Sequence, residues 1–235
     1  FERVGDAWSR IDLTGLATGD VSPGVTVLVD AFTGLLNVAM VTSGDGLVVL
    51  ERGADDVWQS VQLAEGLEGA EAIATNLVRM TAGDGRVTLA GQTAEGELVT
   101  YQQGVLDGDG RATWSFSSIG DDLASAGVSM PTIVGGFTSF VTAWDAHNIA
   151  GLNEAGEIIA FWWAPGRDSW AMTNLSAATG APAITGGLTA FLTPWGGINV
   201  GGVNADGELV VTWWVPSAQP QWRTTDLTAA AGGPK

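Results

Sequence analysis

Cysteine is absent from the 235 residues, and lysine, tyrosine and histidine occur once each. Without a thiol the chain can form no disulfide, carry no thiolate nucleophile and hold no cysteine-ligated zinc. Nine Lys and Arg stand against 26 Asp and Glu, a formal charge of −17. Phosphate recognition relies on clustered Lys and Arg, so nucleic acid and anionic membranes are excluded as partners. No run approaches the ~18 apolar residues of a membrane span, so no membrane insertion is expected. The chain opens at Phe1 with neither Met nor a signal-like segment. That start fits a processed, exported product or an excised fragment of something longer, and the expected location is extracellular or cell-surface.

What the chain has in quantity is glycine (34), tryptophan (11) and a hydrophobic content of 46%. The glycines recur at fixed places beside Val, Ile, Leu and Trp, which is the distribution of turns between strands and not of disorder. The fixed places come from a repeat. Ile149-Ala150-Gly151-Leu152-Asn153-Glu154-Ala155-Gly156-Glu157-Ile158 returns as Val200-Gly201-Gly202-Val203-Asn204-Ala205-Asp206-Gly207-Glu208-Leu209. Each copy runs into a paired aromatic and a proline, Trp162-Trp163-Ala164-Pro165 and Trp213-Trp214-Val215-Pro216. Two drifted copies precede them around residues 37–47 and 87–98, and closing tryptophans fall at Trp58, Trp114, Trp170 and Trp222. A fifth, Trp8, stands ahead of the first unit.

In the fourth unit the alternation and turn residues give four strands: 188–193, 198–203, 208–214 and 222–227. Nothing in the pattern reads as helical. Four antiparallel strands per unit, four units in tandem, predict an all-β protein: a β-propeller or propeller-like array of four four-stranded blades. A small twisted sheet has two apolar faces that only neighbouring blades can cover. The expected divisions of this single repeat domain are 25–66, 77–119, 137–175 and 188–228, with a tail at 229–235. Residues 1–24 hold a surplus N-terminal strand and linker, since Trp8 to Leu13 copies the fourth strand Trp222 to Leu227. A ring of four blades can use only one of the two. The surplus copy is expected to pack outside the ring or on a neighbouring chain, or the chain belongs to a larger ring or array.

The Gly-Glu-Leu turn, aromatic third strand and Trp-initiated fourth strand resemble the tandem-blade lectin propellers of the tachylectin-like and related groups. The count of four units is similar to that of hemopexin-like propellers. The lectin resemblance covers nearly the whole chain and implies sugar binding in pockets between blades. The haem-binding histidines of hemopexin have no counterpart, because His147 is the only histidine.

Catalytic residues are expected to be none. His147 reads as a loop histidine, and no G-x-S-x-G elbow accompanies it. Glu97, Glu157 and Glu208 share one post-turn position, which points to structure, since catalytic sites on repeat folds are asymmetric. Asp107-Gly108-Asp109-Gly110 resembles the start of a calcium loop, but position twelve is Ser118, so a β-turn is expected and no metal or cofactor. Aromatic placement is the asymmetric feature. Trp144 and Trp195 sit in the first-to-second strand turn of units three and four only. Each is expected beside its own third-to-fourth connection, with Arg167 or Gln219, and beside Asn148 or Asn199. An indole flanked by such groups can stack on a sugar's C–H face while they bond its hydroxyls. The competing reading is that both tryptophans plug the blade edge, as the Trp162/Trp163 and Trp213/Trp214 pairs pack between blades. The expected function is a non-catalytic binding or scaffolding propeller recognising glycan or protein. The alternative is a structural module of a layer, filament or assembly, self-associating or meeting neighbouring repeats through its terminal strands.

Overall fold

The structure is a computed structural model, and it describes residues 2–4, 7–22, 24–44, 46–53, 55–108, 111–216 and 222–233. A short hairpin of β1 (Glu2–Val4) and β2 (Ala7–Ser9) comes first. Four meanders follow, each a separate four-stranded antiparallel sheet. Blade 1 is β3 (Thr26–Val29), β4 (Leu36–Thr42), β5 (Gly46–Arg52) and β6 (Trp58–Gln62). Blade 2 is β7 (Thr75–Thr81), β8 (Val87–Gln92), β9 (Leu98–Leu106) and β10 (Ala112–Ser118). Blade 3 is β11 (Ile133–Val141), β12 (His147–Asn153), β13 (Ile158–Trp163) and β14 (Ala171–Asn174). Blade 4 is β15 (Ile184–Leu192), β16 (Ile198–Asn204), β17 (Leu209–Trp214) and β18 (Trp222–Asp226).

The repeated Asn-x-x-Gly-Glu segment is a self-contained turn. Asn153 Oδ1 accepts the backbone N–H groups of Ala155 (3.0 Å) and Glu157 (2.9 Å), and its amide donates to Glu157 Oε2 (2.8 Å). Asn204 does the same with Asp206 and Glu208. Gly156 and Gly207 stand at φ 74° and 78°, which a side chain would resist. Glu157 and Glu208 therefore close turns.

First strands open at Thr75, Ile133 and Ile184, a few residues before the pattern suggests. A bulge explains the offset. The register shifts before Val78, Thr138 and Thr189, with Asn76, Gly136 and Gly187 in the left-handed region. Helices, which the pattern did not suggest, follow three fourth strands: α1 (Ile119–Ser125), α2 (Leu175–Thr179) and α3 (Leu227–Ala231). Their signal is in the caps. Ser118, Asn174 and Asp226 each accept the N–H three residues on, at 3.1, 2.8 and 2.9 Å. Each helix is too short for an apolar period to show.

The core is a series of seams between consecutive blades. The forward face of blade 1, with Leu28, Val41 and Leu47, packs on the rear face of blade 2, with Val87, Leu89 and Tyr101. Blade 2 meets blade 3 through Met80, Leu98 and Ile119 against Ile149, Ile159 and Phe161. Blade 3 meets blade 4 through Leu152, Ile158 and Leu175 against Ile198, Val200 and Val210. Blade 1's rear face, with Met40, Val48 and Leu50, is covered by Leu13, Leu16 and Ala17. The surplus copy thus forms no fourth strand: its Trp8 end pairs in the β1–β2 hairpin, and its Leu13 end lies against blade 1. The core clusters run along the chain and none joins blade 4 to blade 1, so the four blades form an open arc among the described residues.

Candidate functional site

Cross-strand register turns the four blades into columns. Asn37, Thr88, Asn148 and Asn199 occupy one column and pair with Glu51, Gln102, Trp162 and Trp213 on the third strands. Those in turn pair with Gln59, Ser115, Ala171 and Arg223 on the fourth strands. All twelve lie on forward faces, and those of the first three blades lie at one end of the seam each blade makes with the next. The chemistry of the column changes from carboxylate to amide to indole along the chain.

Between blades 1 and 2 this end of the seam opens into a cleft of about 450 Å³. Blade 1 supplies Asn37, Glu51 and Gln59, and blade 2 supplies Arg111 from the connection before β10. The Arg111 guanidinium donates to the Gln59 amide oxygen, and its backbone N–H donates to Asp107 (2.9 Å). Asp107 thus closes a turn; Asp109 and Gly110 lie outside the described residues, among which no cluster of three metal-ligating side chains occurs. Burial pushes the Glu51 carboxyl above its ordinary range, Arg111 pulls it down, and Asp30 and Asp107 push it up. The cleft floor is fixed across the seam: Asp30 accepts from the Gln103 amide, which is buried on blade 2. Asp30 also caps its own turn, accepting from Phe32 N (3.0 Å) and Thr33 N (2.7 Å).

Between blades 2 and 3 the cleft narrows to about 120 Å³, lined by Gln102, Ser115, His147, Trp163, Asp168 and Trp170 among others. His147 is not a loop residue. It opens β12 and is buried, in a column that elsewhere carries Leu36, Val87 and Ile198. Its Nδ1 lies 3.2 Å from the Thr88 hydroxyl across the seam, and its ring packs on Trp163 at 5.6 Å. Burial lowers its pKa; Asp145 and Asp84 act in the opposite direction.

Between blades 3 and 4 the seam is capped. Arg167 lies over the Trp162 ring, 4.5 Å from its centroid, and Trp163 Nε1 donates to the Arg167 carbonyl (2.9 Å). Trp144, expected beside its own third-to-fourth connection, leans forward onto Trp214 of blade 4, with centroids 5.6 Å apart. The cause lies next to it: Asp145, at φ 59°, turns back to accept the Gly83 N–H of blade 2 at 2.7 Å. One turn therefore grips both neighbours. Trp144 and Trp195 are 44% and 72% exposed, while Trp170 is buried and Trp222 half-buried. Asn148 bonds the Ala146 carbonyl (2.9 Å), Asn199 reaches the Phe191 carbonyl at 3.5 Å, and Gln219 lies outside the described residues. The structure thus brings Trp144 to blade 4 and Arg167 to Trp162. Glu51, Gln59 and Arg111 were missed because they come from two units. The available signal was the third-strand pair, Glu51-Arg52 and Gln102-Gln103 where later units read Trp-Trp.

No family model matches the sequence, and no curated protein matches it. Solved structures do resemble the fold. AofleA from Arthrobotrys oligospora is matched at 12% identity and TM-score 0.54, over 88% of this chain and 58% of that one. The SapL1 lectin, solved in complex with alpha methyl fucoside, is matched at 12% identity and TM-score 0.55, over 87% of this chain and 63% of that one. This chain has a β-propeller fold. It spans about three fifths of the length of those two structures.

Proposed function

We propose that the chain is a non-catalytic, glycan-recognising propeller module of an exported or cell-surface protein, with the cleft between blades 1 and 2 as its sugar seat. One observation carries the reading: Glu51, Gln59 and Arg111 converge from two blades on a cleft of about 450 Å³, roomy enough for a sugar ring. A sugar presents vicinal hydroxyls that both donate and accept. A carboxylate, an amide and a guanidinium side by side answer both needs, with charge-assisted bonds on two of the three. The likeness to the SapL1 lectin fold supports the same reading. The exposed Trp144 and Trp195 favour a second seat on the blade 3–blade 4 edge, where an indole face is available for stacking.

Titration calorimetry and tryptophan fluorescence against a monosaccharide panel that includes methyl fucoside test both. Arg111→Ala and Glu51→Gln each remove one charge-assisted bond worth about 1.5–3 kcal/mol. Binding at the first seat should fall about tenfold or more, with the far-ultraviolet spectrum unchanged. Trp195→Ala leaves that seat intact and abolishes binding at the second. A panel without a binder, or binding indifferent to all three substitutions, refutes the assignment.

A further inference from the structure

Blade 4 carries a complete set of seam residues and, among the described residues, no seam. In the first-strand column, Leu28 and Met80 are buried and Phe140 packs into the blade 3–blade 4 core, but Phe191 is 53% exposed. In the second-strand column Val41, Gln92 and Leu152 are buried and Val203 is exposed. Their third-strand partners Leu47, Leu98 and Ile158 are buried, and Leu209 is exposed. The residue opening the turn or helix after the fourth strand behaves alike: Leu63, Ile119 and Leu175 are at most 3% exposed, whereas Leu227 is 38% exposed. Four columns whose side chains are buried, or in the case of Phe140 partly buried, in the first three blades each expose the side chain at the last. An apolar face of this regularity marks an interface.

What covers a forward face is on display three times in the chain: the rear face of a blade. Among the described residues, blade 1's rear face is the one rear face with no blade on it, and Leu13, Leu16 and Ala17 occupy it instead. That segment is a copy of the end of blade 4. Trp8-Ser9-Arg10-Ile11-Asp12-Leu13-Thr14 matches Trp222-Arg223-Thr224-Thr225-Asp226-Leu227-Thr228 at its Trp, Asp, Leu and Thr. Leu13 thus sits on blade 1 where, in register, the Leu227 of a preceding blade 4 would sit.

We propose that the forward face of blade 4 docks on the rear face of blade 1 of a second copy of this chain, with Leu227 taking the place that Leu13 holds there. The contact is head-to-tail, so it generates rings or open chains of copies and not an isologous pair. Leu13 is tethered, and a tethered segment competes at an effective concentration in the millimolar range, which holds the association weak. The partners also repel, each carrying a formal charge of −17, so salt should strengthen the contact. This inference is independent of the sugar seat, which is built on the forward face of blade 1, whereas the contact uses that blade's rear face.

Sedimentation velocity on the full chain at high salt, from about 1 to about 200 μM, reads the outcome. The double variant Leu13→Ser, Leu16→Ser loosens the tethered segment without adding charge and should associate at least tenfold more tightly than the parent chain. Adding Leu227→Arg should return it to a monomer, as should Phe191→Glu; both sites are exposed, so folding is retained. Val105→Glu, on another exposed apolar residue, should leave association unchanged. A double variant that stays monomeric across the range, or one that associates equally with Leu227→Arg, overturns the proposal. Should the double variant fail to fold, the parent chain decides at 200 μM: association lost with Phe191→Glu supports the proposal, and a monomer refutes it.

Discussion

Leu175 and Leu227 occupy the same place in consecutive units, each opening the helix after a fourth strand, so replacing both with alanine isolates the effect of a neighbouring blade. Leu175 is fully buried among Ile184, Ile198 and Val210. Leu→Ala removes three carbons at about 0.8 kcal/mol each, about 2.4 kcal/mol, and the cavity left behind raises the loss to about 3–5 kcal/mol. Leu227 is 38% exposed, so less than two thirds of its transfer term is at stake and no enclosed cavity forms. Its loss should be about 1.5 kcal/mol or less. Helix propensity cancels, because the two substitutions are identical in type and position. Urea unfolding followed by tryptophan fluorescence at low protein concentration measures both midpoints. Blades couple to their neighbours, so Leu175→Ala should also broaden the transition as blade 4 uncouples from blade 3. Equal losses for the two variants would refute the reading of an open forward face on blade 4.

His147 gives a pH prediction. Its folded pKa lies below the ordinary 6.5, so between the two values the unfolded chain holds a proton that the folded chain does not. Stability should be fully present above 6.5 and fall as pH drops through that value, and His147→Gln should flatten the profile measured by urea midpoints. Glu51 acts with the opposite sign: its folded pKa is raised above 4.5, so stability should fall as pH rises from 4.5 toward the folded value, and Glu51→Gln should remove that slope. Asp145→Ala releases the Gly83 N–H and should cost about 1.5–3 kcal/mol, while the Trp144–Trp214 contact on the other side loosens and the fluorescence maximum shifts to the red. Tyr101 is buried and donates to the Glu71 carbonyl (2.6 Å); burial, and after it the negative charge of Glu71, pushes its pKa up to about 12, and Tyr101→Phe should cost about 1 kcal/mol and abolish phenolate absorbance below the alkaline unfolding transition.

The blade count was legible because it rests on local chemistry. Asn153 and Asn204 close their turns with bonds inside five residues, so the motif that makes the turn is also the motif that repeats. The closing tryptophans align for the same reason: Trp58 and Trp222 pair directly with the second residue of the third-strand doublet. The bulges hid the strand starts, because a left-handed Asn76 or Gly136 interrupts the alternation that signals a strand. Seams were less legible than sheets. Which residue of one unit meets which of the next depends on the twist and stacking of whole blades, and neither is written in a window of ten residues. His147 shows the cost of reading one unit at a time. Its surroundings within blade 3 are turn and strand, and its partner Thr88 is 59 residues away.

The same separation explains where function can diverge in such a chain. Inner positions such as Leu47, Leu98 and Ile158 must stay apolar, because each is sealed by the next blade. At the outer end of the seam the column passes from Glu51 to Gln102 to Trp162, and the fold tolerates all three because solvent reaches that end. A repeat scaffold of this kind holds its core by uniformity and varies its clefts one junction at a time. A residue that breaks its column is therefore a better guide to a binding site than one that keeps it. By that measure Glu51 and His147, which stand where sister units carry amide or indole in one case and aliphatic groups in the other, mark the two junctions where chemistry has room to act.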